Sequence, residues 1–132
     1  MIYLDSCALV KLVSPAPETV ALEHYLRERA EEHHVASALV RTEVRRALSR
    51  VGATTRQRGT ADKLLDAVIT ISITDDLLDA AGQLPDPGLR SLDAIHLATA
   101  LHLGSGLSDF VTYDRRLLSA ARQAGLAVAA PR

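Results

Sequence analysis

A single cysteine, Cys7, excludes an internal disulfide framework and any zinc site built from several thiolates. Tryptophan is absent and aromatic residues make up 3% of the chain, so it lacks the stacked aromatic platforms that hold single-stranded bases. No apolar run reaches the roughly 18 residues that a membrane span requires. The opening segment carries Asp5 and has no basic stretch ahead of an apolar one, unlike a signal peptide. A cytoplasmic protein with no membrane contact is expected. Charge of one sign is not in excess either: 15 Lys and Arg stand against 16 Asp and Glu. That balance argues against a protein that coats nucleic-acid phosphates through bulk positive charge.

What remains is a chain of 132 residues, 48% hydrophobic and 23% charged. This predicts one domain over residues 1–132 with a core of ordinary size. Short apolar runs alternate with helical stretches. Strands are expected at Ile2–Leu4, His34–Ser37, Val68–Ile73, Phe110–Tyr113 and Ala127–Ala129. Helices are expected over Ser6–Val13, Glu18–Glu32, Ala38–Val51, Thr55–Ala67, Asp75–Leu84, Ser91–Leu103 and Asp114–Ala124. The proline pair at Pro15 and Pro17 breaks the first helix, and Gly52 and Gly125 stop two others. Val68–Ile73, β-branched nearly throughout, reads as a buried strand. Strands alternating with helices imply an α/β fold: about five parallel strands between helical layers.

In open α/β sheets, sites gather at the carboxyl ends of the strands. Asp5 directly follows one strand and Asp114 another, so parallel strands would bring both carboxylates out at one edge. Each also opens a helix, where the positive end of the macrodipole tolerates an anion, and each reads equally as a helix cap. Asp93 lies in a helix that is apolar nearly all round, with His96 one turn on. Buried charges need partners, which points to function, although Asp93 also reads as a first-turn residue behind a Ser91 cap. Glu43 falls at the margin of a stripe formed by Val40, Val44, Ala47 and Val51, flanked by Leu48, where a snorkelling surface residue is also at home.

Four carboxylates at one edge would repel one another without a cation. An all-oxygen set suits Mg²⁺ or Mn²⁺, and such an ion activates water and stabilises both reacting oxygens of a phosphodiester. With the four set aside, 12 acidic residues face 15 basic ones, a mild positive surplus compatible with RNA. His96 reads either as a proton-transfer or phosphate-positioning group or as a hydrogen-bonded core histidine. Cys7 reads as a small buried residue with no His/Asp arrangement to make it a nucleophile. Arg45, Arg46, Arg115 and Arg116 are either RNA or partner contacts or solvated helix faces.

Four segments carry a family resemblance: Ile2-Tyr3-Leu4-Asp5-Ser6-Cys7-Ala8-Leu9-Val10-Lys11, Arg41-Thr42-Glu43-Val44-Arg45-Arg46-Ala47-Leu48, Ser91-Leu92-Asp93-Ala94-Ile95-His96-Leu97-Ala98-Thr99-Ala100 and Val111-Thr112-Tyr113-Asp114-Arg115-Arg116-Leu117. In this order, spread across the whole chain, they resemble the PIN-domain ribonucleases, specifically the VapC toxins of VapBC toxin–antitoxin pairs. The resemblance implies a three-layer α/β/α fold with a central parallel sheet of five strands. It implies Mg²⁺ or Mn²⁺ held by Asp5, Glu43, Asp93 and Asp114, and hydrolysis of RNA, commonly tRNA or rRNA, that arrests translation. It also implies a homodimer inhibited by a cognate VapB-like antitoxin. Ser6 and Thr112 match hydroxyls that help to hold metal-bound water, with a helix cap and a strand residue as the plainer alternatives.

Rival readings fit less well. A phosphotransfer receiver would need an acidic pair after the first strand, where Ser6 stands. An Asp-x-Asp phosphatase would need an acid at Cys7. Asp75 and Asp76, after the third strand, read as a helix start. An RNA-processing nuclease without an antitoxin, a DNA-cleaving relative and a non-catalytic binding module remain as alternatives of the same fold.

Overall fold

The computed structural model describes every residue from Met1 to Arg132. Its strands are β1 (Ile2–Leu4), β2 (His34–Ser37), β3 (Ile69–Ile71), β4 (Asp109–Val111) and β5 (Val128–Ala129). They form one sheet in the order β3-β2-β1-β4-β5, and every pair is parallel. Seven helices connect them: α1 (Ser6–Val13), α2 (Thr19–Arg27), α3 (Val40–Arg50), α4 (Thr55–Ala67), α5 (Asp75–Gly82), α6 (Ser91–Leu103) and α7 (Arg115–Gln123). None is long and apolar enough to cross a membrane.

The period of two along β1 divides the core. Ile2 and Leu4 face one layer with Leu9, Leu22, Val44 and Leu65, contributed by α1 to α4. Tyr3 faces the other with Leu97, Leu117 and Ala121, contributed by α6 and α7. The chain winds outward from β1 through β2 to β3, then crosses to β4 on the other side of β1. The reversal leaves a crevice at the carboxyl ends of β1 and β4, which is where doubly wound sheets bind their ligands.

Some expected elements take a different form. The helix expected to reach Glu32 stops at Arg27, because Glu32 turns back to pair with the amino terminus at 3.0 Å and to accept from Ser108. The strand expected to be buried, Val68–Ile73, contracts to Ile69–Ile71 at the sheet edge. With β2 as its only partner, Ile69 is 46% exposed. Thr74 ends that segment by capping α5, accepting from the Leu77 amide. Along α3 the buried stripe is Val40, Val44 and Leu48. Val51, expected within it, lies past the last turn and is exposed, and Gly52 leaves the helix with φ +63°.

Candidate active site at the carboxyl edge of the sheet

Asp5 is the first residue after β1 and the N-cap of α1, its Oδ1 accepting the Ala8 amide at 2.8 Å. It is only 3% exposed. Its other oxygen, Oδ2, accepts from the buried Thr112 hydroxyl at 2.5 Å. Burial pushes the Asp5 carboxyl up to about 6, against the opposing pull of the Thr112 and Ala8 hydrogen bonds.

Thr112 follows β4, the neighbour of β1, and its Oγ1 also accepts the Asp114 amide at 3.1 Å. One hydroxyl therefore ties Asp5 to the backbone of Asp114 across two adjacent strands. Asp114 in turn caps α7, its Oδ1 accepting the Leu117 amide at 2.9 Å. Both junction acids are thus caps and members of one edge at once. Ser6, by contrast, is the first residue inside α1 and caps nothing, since Asp5 takes that role.

Asp93 lies in the first turn of α6, behind Arg90 at the N-cap position, while Ser91, expected as the cap, is already helical. Burial and the neighbouring Asp114 charge hold its carboxyl above the usual range. Glu43 occupies the first turn of α3, just beyond β2, with its side chain 21% exposed. Its Oε1 meets His96 Nε2 at 2.6 Å.

His96 is a fully hydrogen-bonded core histidine, 1% exposed, whose Nδ1 meets the Tyr3 hydroxyl at 2.7 Å. That hydroxyl also accepts the Ser37 amide at 3.0 Å. Tyr3 is the site residue that sequence patterning passed over as a strand residue. Its one signal is chemical: a Tyr facing the core between Ile2 and Leu4 must find a partner for its hydroxyl.

The four carboxylates share the edge and feel one another's charge, but no three Asp, Glu, His or Cys side chains close on a common point. Internal hydrogen bonds hold Asp5, Asp114 and Glu43 by at least one oxygen each. Asp114 Oδ2, Glu43 Oε2 and both oxygens of Asp93 accept no hydrogen bond within the chain. The donor set is therefore all oxygen, partly engaged and short of positive charge, which fits a hard divalent cation.

An open groove of about 640 Å³ runs from Glu43 between α1 and α3, lined by Cys7, Lys11, Thr42, Arg46 and Arg50 among others. Cys7 is exposed there, not buried as expected, because it lies on the face of α1 opposite Leu9 and Val13. Partial burial and the Asp5 charge push its thiol up to about 11, the reverse of an activated nucleophile. Lys11 is paired with Glu18 at 2.8 Å and Arg45 with Asp62 at 3.0 Å, whereas Arg46 and Arg50 have no acidic partner.

The PIN domain family matches residues 2–123. Ribonuclease VapC46 of Mycobacterium tuberculosis (strain ATCC 25618 / H37Rv) is 47% identical over 130 residues, covering 98% of this chain and 97% of that protein. Ribonuclease VapC47 of M. tuberculosis (strain CDC 1551 / Oshkosh) is 40% identical over 133 residues, covering 99% and 97%. Among solved structures, M. tuberculosis VapC20, a sarcin–ricin loop cleaving toxin, superposes with a TM-score of 0.72 at 18% identity, covering 99% of this chain and 100% of that one. VapBC2 from Rickettsia felis, bound to a DNA fragment from its promoter, gives 0.75 at 17%, covering 100% of both. These two structures bear on the fold.

Proposed function

Because the chain belongs to the PIN-domain family and is of the VapC ribonuclease type, we propose that it is the RNA-cleaving toxin of a type II toxin–antitoxin pair. The reaction is hydrolysis of a phosphodiester in tRNA or rRNA, with translation arrest as the consequence. One observation carries the catalytic reading. Asp5 is buried at the sheet's central crevice and joined through Thr112 to Asp114, with Asp93 and Glu43 on the same edge. A fold keeps an uncompensated acidic cluster there at a cost in stability, and a cation removes that cost.

In this reading Asp5, Glu43, Asp93 and Asp114 hold Mg²⁺ or Mn²⁺. When bound, the ion supplies an activated water and neutralises charge on the phosphodiester. The chain's own residues set the geometry. The Ala8 amide and the Thr112 hydroxyl hold Asp5, and the α7 amides hold Asp114. Arg46 and Arg50, unpaired along the groove that reaches Glu43, support approach by a phosphate backbone. In the same reading Ser6, which lines the groove, and Thr112 help to hold water beside the acids. A VapB-like antitoxin as inhibitor, a homodimer as the working assembly and the cytoplasm as the setting complete the proposal by relation to the VapC proteins.

Incubating the purified protein with tRNA and rRNA, with Mg²⁺ or Mn²⁺ and with EDTA, tests it. Discrete fragments that vanish with EDTA and with Asp93→Asn are expected. Intact RNA beside a folded protein that takes up no Mn²⁺ would overturn the catalytic reading and leave a binding module.

A further inference from the structure

We infer that the buried pair Tyr3 and His96 acts as a positioning relay for Glu43, fixing the carboxylate through a histidine locked in one tautomer. The inference rests on the reading of Glu43 as a cation ligand and goes beyond it, because neither Tyr3 nor His96 has been given a role in that reaction.

With a neutral imidazole the distances define one run of protons from the backbone to Glu43. The Tyr3 oxygen accepts the Ser37 amide at 3.0 Å, so its own hydrogen is free to point elsewhere. The ring is pinned: it stacks on Phe110 at 4.9 Å with 9° between planes and meets the edge of His96 at 5.9 Å. Its hydroxyl therefore donates to His96 Nδ1, 2.7 Å away. With Nδ1 accepting, the imidazole proton sits on Nε2, which donates to Glu43 Oε1 at 2.6 Å.

Every member of this chain comes from a different element: β2 through Ser37, β1 through Tyr3, α6 through His96 and α3 through Glu43. Glu43 and Asp93 are the two acids of the four without a helix-capping bond, and of these only Glu43 is held by a side chain, that of His96. Asp5 and Asp114 are held by helix amides, and Asp93 is the neighbour of His96 by one helical turn. The relay thus supplies for Glu43 the anchoring that backbone amides supply for Asp5 and Asp114. It engages Oε1 alone and leaves Oε2 without a partner in the chain. A histidine aligned in this way orients a ligand at a second remove, and loss of such groups characteristically lowers metal affinity or activity about 10- to 100-fold.

The test is Mn²⁺ affinity, read by electron paramagnetic resonance of the free ion, beside the thermal midpoint and RNA cleavage. His96→Leu should weaken Mn²⁺ binding by about 10-fold or more. His96→Gln, whose amide nitrogen can take the place of Nε2–H, should recover a large part of it. Tyr3→Phe should weaken binding less than His96→Leu and add nothing further in the His96→Leu background. In a Glu43→Gln background, His96→Leu should leave Mn²⁺ affinity unchanged. A purely structural role for His96 would lower the thermal midpoint of each variant and leave the affinity of the folded protein intact, and that result would overturn the relay. Equal effects of His96→Leu with and without Glu43 would overturn it too. Wild-type protein that binds no Mn²⁺ would instead overturn the metal reading, and the relay with it.

Discussion

Replacing Asp5 by Asn removes a charge from a position that is 3% exposed while keeping an oxygen to cap α1. In the native state the Asp5 carboxyl is raised from 3.8 to about 6, chiefly by burial. A carboxyl whose pKa is higher folded than unfolded imposes no cost below about pH 4, where both states are protonated. The cost grows between about pH 4 and 6 and is complete above that, because the unfolded chain gives up its proton first. The raised value corresponds to about 3 kcal/mol of lost stability at pH 7 and above. Against that gain, Asn must face the Thr112 hydroxyl with an amide. The rearranged hydrogen bond there costs about 1 kcal/mol. Asp5→Asn should therefore stabilise the protein by about 2 kcal/mol at pH 8 in EDTA, a rise in thermal midpoint of roughly 8 °C. Near pH 4 the difference should vanish or reverse. Urea denaturation of both proteins from pH 4 to 8 measures it. An Asp5→Asn protein no more stable than wild type at pH 8, or a difference indifferent to pH, would refute the argument that a buried charge is held there under strain. Saturating Mn²⁺ should narrow the gap by stabilising wild type alone.

Other perturbations separate the parts of the site and the core. Thr112→Val deletes the hydroxyl that serves both Asp5 and Asp114, so it should cost about 1 to 3 kcal/mol in denaturant melts and shift the acid limb of the Asp5 effect to higher pH. Asp114→Ala removes an N-cap and should cost about 1 kcal/mol, less whatever is regained by relieving Asp93, while RNA cleavage is lost. Leu65→Ala opens a cavity at a side chain 1% exposed and should cost about 2 to 5 kcal/mol without changing the metal dependence of cleavage. Cys7→Ser should leave cleavage in place. The wild-type thiol, raised to about 11, should alkylate with iodoacetamide at pH 8 roughly tenfold or more slowly than a free cysteine.

Asp5 and Asp114 were legible because each closely follows an apolar strand. Asp5 comes directly after β1, and Asp114 is separated by Thr112 and Tyr113 from the end of β4, which stops at Val111 and not at the expected Tyr113. The buried character of α6 was legible from its apolar periodicity, which made Asp93 and His96 stand out. Features set by distant contacts were not. The contact from Glu43 to His96 spans 53 residues and that from Tyr3 to His96 spans 93, and no local pattern encodes either. The early end of α2 depends on Glu32 finding the amino terminus, again a tertiary event. The β-branched run at 68–73 was read as buried because composition reports strand propensity, whereas burial depends on how many neighbours the sheet order assigns. Val51 and Cys7 show the same limit at finer scale. Val51 continues the stripe but lies beyond the last turn of α3, and Cys7 sits off the buried stripe of α1.

The central claim, that Asp5, Glu43, Asp93 and Asp114 together hold a divalent cation, is tested most directly by crystals of the protein soaked in Mn²⁺ and measured for anomalous scattering. The account predicts a strong peak among these four carboxylates, within ligand distance of several of them, that is absent in Asp93→Asn crystals treated alike. A peak elsewhere, or none at this edge at saturating Mn²⁺, would contradict it.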